Sequence, residues 1–220
     1  MNILLGFVNI VVIFTMVVLI EKLFKKEGLY VWLSVATILA NITVCKMIGI
    51  FNYTTSLGNV LFASTFLATD IMSEKYSKKD AKRGVYISIF SGICFIIITQ
   101  LTLLFIPSSD DVVHEAMKTL FSISIRTITA SMVMFFISNM LDIHLYNKLK
   151  EKYPNKLWLR NNVSTILCNC VENYFFNTFA FIGIFPIPVI LSIATTTTII
   201  EIVIALCDTP FLYISKKLGN

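Results

Sequence analysis

The chain has 220 residues, 56% of them hydrophobic and only 14% charged, with a mean hydropathy of +0.80. A soluble domain of this length cannot hide so much apolar surface, whereas a bilayer accepts it directly. The net charge of +5 requires no nucleic-acid partner, because basic loops beside anionic headgroups account for it.

A helix crosses the hydrocarbon with about 20 predominantly apolar residues. Runs of that kind predict seven spans, at about 3–23, 29–51, 57–72, 84–106, 119–143, 161–183 and 187–213. The first begins "MNILLGFVNIVVIF", without the basic n-region or small-residue cleavage site of a signal peptide, and reads as a retained helix. Lys22, Lys25 and Lys26 follow it. Lys75, Lys78, Lys79, Lys82 and Arg83 follow the third span, and Lys148, Lys150, Lys152, Lys156 and Arg160 the fifth. With Lys216 and Lys217 after the seventh, fifteen of the eighteen basic residues occupy alternate connections. Basic loops stay cytoplasmic, so the expectation is an N-terminus outside and a C-terminus in the cytoplasm. No stretch is left for a nucleotide-binding domain or a glycine-rich phosphate cradle. The five cysteines lie in apolar runs without metal-ligand spacing and read as small packing residues.

Ionisable groups at membrane depth cost roughly 2.5–3.5 kcal/mol each on insertion scales, so each needs a partner or a cavity. Lys46 and Arg126 fall in the second and fifth spans, Glu172 and Glu201 in the sixth and seventh. In the sixth, Thr165, Asn169, Glu172, Asn173 and Phe176 recur at helical spacing and form one polar face. In the seventh, Thr197, Thr198, Glu201 and Asp208 form a second stripe. Such residues either join helices by hydrogen bonds or line a cavity; a carboxylate flanked by two amides favours the cavity. Asp70 and Asp142 lie nearer the cytoplasmic margin, and for Glu74 a salt-bridged helix end is expected. His114 and His144 read as solvated.

Four stretches, "FLATDIMSEKYSKKDAKR", "RTITASMVMFFISNMLDIHLYNKLK", "WLRNNVSTILCNCVENYFFNTFAF" and "CDTPFLYISKK", together resemble the queuosine precursor transporters, also called the vitamin uptake transporter family. The resemblance implies an all-α polytopic membrane protein with a six-helix core at 29–220 and an additional N-terminal helix at 1–28. It implies import of a 7-deazaguanine: 7-cyano-7-deazaguanine, its 7-aminomethyl relative or queuine. Family positions fall on Lys46, Asp70, Arg126 and Asp142. The chain departs from the family in the polar faces, reading Asn169-Cys170-Val171-Glu172-Asn173 where Q-x-x-D-T is common and Glu201 where lysine is common.

The candidate substrate-binding set is therefore Lys46, Asp70, Arg126, Asp142, Asn169, Glu172, Asn173, Phe176 and Glu201. A deazaguanine presents N1–H and an exocyclic amine to a carboxylate, O6 to an amide and a flat face to an aromatic ring, and the sixth span supplies all three chemistries. No cofactor or metal is expected, and the expected partners are the small substrate and the bilayer. A membrane scaffold or the substrate-binding subunit of a larger importer are the alternatives. An intramembrane enzyme ranks last for want of a nucleophile–base pair. A polar cavity between the sixth and seventh spans would favour the transporter, a closed, fully packed seam the scaffold.

Overall fold

In the computed structural model the backbone is described for residues 1–50, 53–121 and 125–218, and the side chains of 47, 50, 53–56 and 125–128 lie outside the description. The first element, α1 (Asn2–Thr43), is a helical hairpin broken at Lys25, whose φ of 55° is left-handed. The chain folds back so tightly there that a Cβ on Gly28 would sit 2.5 Å from the Ile20 carbonyl oxygen, so only glycine fits. At the far end Asn2 donates to the Gly49 carbonyl at 2.9 Å, closing the hairpin. The first two expected spans are thus present as its two limbs. The second limb stops at Thr43 rather than near 51: Met47–Ile50 (β1) and Tyr53–Ser56 (β2) pair antiparallel instead, so the described fold is not wholly α. Isoleucine, tyrosine and threonine favour such a ribbon.

Helices α2 (Gly58–Lys75) and α3 (Lys78–Leu103) follow, joined at Ser77, whose hydroxyl caps α3 by accepting from the Asp80 N–H at 3.0 Å. The fifth span, expected from 119, is preceded by a separate exposed helix α4 (His114–Phe121), and α5 runs Ile125–Lys152. Then come α6 (Leu157–Phe181) and α7 (Ile187–Leu218), linked by a turn through Gly183 at φ 82°. Among the described residues α1, α3 and α7 are long and apolar enough to cross a membrane.

The other long helices are more polar because they supply the interior. Fifteen of the eighteen residues of α2 are buried, which makes it the central helix. Its run of Ala63, Ser64, Thr65, Ala68 and Thr69 lets neighbours approach closely, as small residues do in membrane bundles. Leu33 of α1, Leu67 and Met72 of α2, Val85 of α3, Ile143 of α5 and Leu212 of α7 fill the core around it. The outer surface is apolar, with Phe90, Ile98, Phe175, Phe179, Ile199 and Val203 all exposed, as lipid contact requires.

The basic connections meet at one end of the bundle. Lys75 pairs with the buried Glu21 at 2.8 Å, and Lys26 with Asp80 at 3.4 Å. Glu74 collects Arg160 and Lys216 at 2.7 Å each and Lys150 at 3.6 Å. Glu74 is indeed salt-bridged, but to α5, α6 and α7 rather than to the lysines that follow it.

Candidate functional site

The polar face of α6 does not stay together; it divides between two neighbours. Towards its C-terminal half, Asn173 donates to Glu201 Oε2 of α7 at 2.6 Å, a bond joining the two expected stripes. Glu172 lies alongside, half-buried, with Ser138 of α5 close to its carboxyl. Asn169 is buried one turn away, and Asn177 donates to the Asn173 carbonyl at 2.7 Å, locking that turn. Phe176 packs edge-on against Phe181, with ring centroids 6.5 Å apart. Glu201 therefore has an amide partner. Two surface concavities lie elsewhere, one lined by Pro154, Asn155, Tyr213 and Lys216, another by Met1, Asn2 and Gly49.

The other half of the face, one to two turns nearer the basic end, meets a group of three buried aspartates. Thr165 donates to Asp142 Oδ1 of α5 at 3.4 Å, and Asn161 to Asp208 Oδ1 of α7 at 2.6 Å. Asp70 of the central helix completes the group, within hydrogen-bond reach of Asp142. All three aspartates have no exposed surface.

Asp208 owes its position to the two sequence motifs that flank it. Asn161 and Asn162 both donate to Thr209 Oγ1, at 3.0 and 2.8 Å, so "RNN" of α6 clasps "DTP" of α7. Pro210 sits inside α7 and has no N–H to give the helix, and the clasp holds the chain beside it. Arg160, only 1% exposed, donates to Glu74 and to the Tyr153 and Pro154 carbonyls at 3.2 and 2.7 Å, fixing where α6 starts.

Of the candidate set, the structure brings together Asn169, Glu172, Asn173 and Glu201 in one seam, with Phe176 at its edge, and Asp70 with Asp142 in the second group. Lys46 is placed apart: it follows the end of α1, is exposed, and its carbonyl accepts from the Leu57 N–H at 3.1 Å. The reading of Arg126 falls on a side chain outside the described residues. Asp208, Asn161 and Arg160 were not in the set. The signal for Asp208 was available, since it stands seven residues, two helical turns, beyond Glu201 on the same face. Glu21, which also accepts from Tyr76 at 2.8 Å and Ser215 at 3.2 Å, gave no signal beyond being a lone acid in an apolar run.

A bundle with an apolar exterior and carboxylates and amides facing inward at depth is the construction of a membrane transporter or channel. The family described as "Putative vitamin uptake transporter" matches residues 56–215, and the chain belongs to that family. It is a multi-pass membrane protein. It is 35% identical over 207 residues to the "Probable queuosine precursor transporter" of Bacillus subtilis (strain 168), a match covering 93% of this chain and 90% of that protein. No solved structure matches it.

Proposed function

We propose that the protein carries a queuosine precursor, a 7-deazaguanine base, across the cell membrane for tRNA modification. The observation that carries this reading is the amide–carboxylate seam between α6 and α7, in a chain 35% identical to the "Probable queuosine precursor transporter" of Bacillus subtilis (strain 168). In the seam Asn173 gives Glu201 a donor at 2.6 Å. A deazaguanine edge offers the same kind of donor from N1–H and its exocyclic amine, so substrate can replace an internal bond with one of similar strength. Glu172 supplies the second acceptor and Phe176 an apolar face. Exchange of internal for substrate hydrogen bonds would let a base enter between α6 and α7.

The same reading gives seven crossings, counting both limbs of α1, with the basic end in the cytoplasm and the N-terminus outside. Residues 29–220 form the transporting core and the first limb is an addition to it. In this topology Lys46 lies at the outer end of the bundle. The test is uptake of the three labelled deazaguanines by cells that lack their own precursor uptake and express this chain alone. Accumulation above the vector control supports the assignment; no uptake of any of them, by protein that is present in the membrane, refutes it.

A further inference from the structure

The aspartate group has features that hydrogen bonding of the chain to itself leaves open. Asp70 and Asp142 are within hydrogen-bond reach of each other, but two carboxylates have no donor between them. Both oxygens of Asp70, Oδ2 of Asp142 and Oδ2 of Asp208 are buried without a partner. Leaving such atoms unsatisfied is costly, and two adjacent ionised carboxylates away from water repel strongly. A single proton between them removes the repulsion and gives one oxygen of each a partner. Among the described residues no group of three or more acids, cysteines or histidines is disposed to hold a metal ion.

Among the described residues no cation pairs with the group. From α5 the group faces Tyr146, and from α6 Cys168 and, beyond it, Glu172. Arg160 is committed to Glu74 and to two carbonyls. On α2 itself the next turn carries Glu74, occupied by Arg160, Lys150 and Lys216. On α1 Glu21 is engaged by Lys75 and on α3 Asp80 by Lys26, while Glu27 of α1 acts on Tyr30 and Tyr76.

We infer that Asp70, Asp142 and Asp208 form a proton-binding site, with one proton shared between Asp70 and Asp142, whose loading is coupled to movement of substrate through the α6–α7 seam. The coupling clause rests on the transport reading above; the proton site does not. The mechanical link is short. Thr165, on Asp142, and Glu172 are seven residues apart on α6, as are Glu201 and Asp208 on α7, about 10 Å in each case. Parting α6 from α7 to admit a base between Asn173 and Glu201 also strains the Asn161–Asp208 and Thr165–Asp142 bonds. Loss of those donors changes how firmly the aspartates hold their proton.

Infrared spectroscopy of the purified protein tests the site directly. At neutral pH the wild type should show the carbonyl stretch of a protonated carboxyl, shifting in heavy water. Asp70→Asn should lose it, because the new amide donates to Asp142 and no proton is needed. A wild type without that band, or an Asp70→Asn variant that keeps it undiminished, overturns the site. Uptake of queuine into proteoliposomes tests the coupling: an inward gradient of one pH unit should support up to about tenfold accumulation for one proton per substrate. A protonophore should abolish it, and Asp70→Asn uptake should not respond to the gradient. Wild-type flux of queuine that ignores the proton gradient, or follows a sodium gradient instead, overturns the coupling. Absence of flux for all three bases overturns the substrate reading and the coupling with it, while the infrared band still decides the proton site.

Discussion

Glu74→Gln should destabilise the protein by about 3 kcal/mol, and almost all of that through Arg160. The two side chains are 6% and 1% exposed and lie 2.7 Å apart, whereas Lys150 and Lys216 are 34% and 47% exposed. Exposed pairs contribute about 0–1 kcal/mol, but stranding a buried charge costs about 3–5 kcal/mol. The carbonyls of Tyr153 and Pro154 remain as acceptors for Arg160, which argues for the lower end. In thermal unfolding of detergent-purified protein the loss amounts to roughly 6–12 °C. Glu74 lies beyond the apolar part of α2. Burial pushes its carboxyl up, but Lys216, Arg160 and Lys150 outweigh that and hold it below the ordinary value. A carboxyl depressed on folding stabilises above its unfolded pKa and loses that contribution as pH falls through the folded one. The gap between wild type and variant should therefore be full at neutral pH and close below the ordinary carboxylate value of about 4.3. A double-mutant cycle with Arg160→Met isolates the pair. Additive losses, or a single-variant cost under about 1 kcal/mol, would refute the assignment of a buried pair.

Glu172→Gln should abolish uptake while the protein still inserts and unfolds at the wild-type temperature, since an amide cannot accept two donors side by side; transport at the wild-type rate sinks the substrate role. Glu201→Lys should shift preference from the aminomethyl base and queuine towards the neutral 7-cyano base, because a cationic amine is attracted to a carboxylate and repelled by an ammonium. Competition among the three bases reads this, and an unchanged order in the variant contradicts it. In a background lacking the other cysteines, the exposed native Cys45 should react with an impermeant thiol reagent from outside the cell, and Lys79→Cys only from inside; reaction of both from one side would exclude the proposed topology.

Much of the bundle could be read from where its charges fall. Lysines do not cross a bilayer, so the basic loops marked the turns at Lys25 and Ser77 and the end at which the helices converge. The face of α6 was legible because helical spacing is local. What was not legible depended on distant partners or on small local choices. Glu21 finds Lys75 and Ser215, 54 and 194 residues away, and nothing in its own neighbourhood announces them. Lys46 follows an apolar run that reads as one helix, but the ribbon of β1 and β2 takes over after Thr43 and leaves the lysine exposed outside it. The split of the α6 face between α5 and α7 depends on helix packing, which periodicity does not encode.

The central position of α2 bears on how the protein is made. A helix of eighteen residues, about 27 Å long and carrying Asn59, Asp70 and Glu74, is a poor candidate for release into lipid by itself. It emerges after the α1 hairpin and before α3, two of the three most apolar elements. During synthesis these two can shelter it on either side, but its aspartate has to wait for Asp142 and Asp208, more than seventy residues further on. A ribosome halted after α3 would therefore leave a half-built bundle with its most polar surface still facing the membrane, the stage at which quality-control proteases have most to recognise.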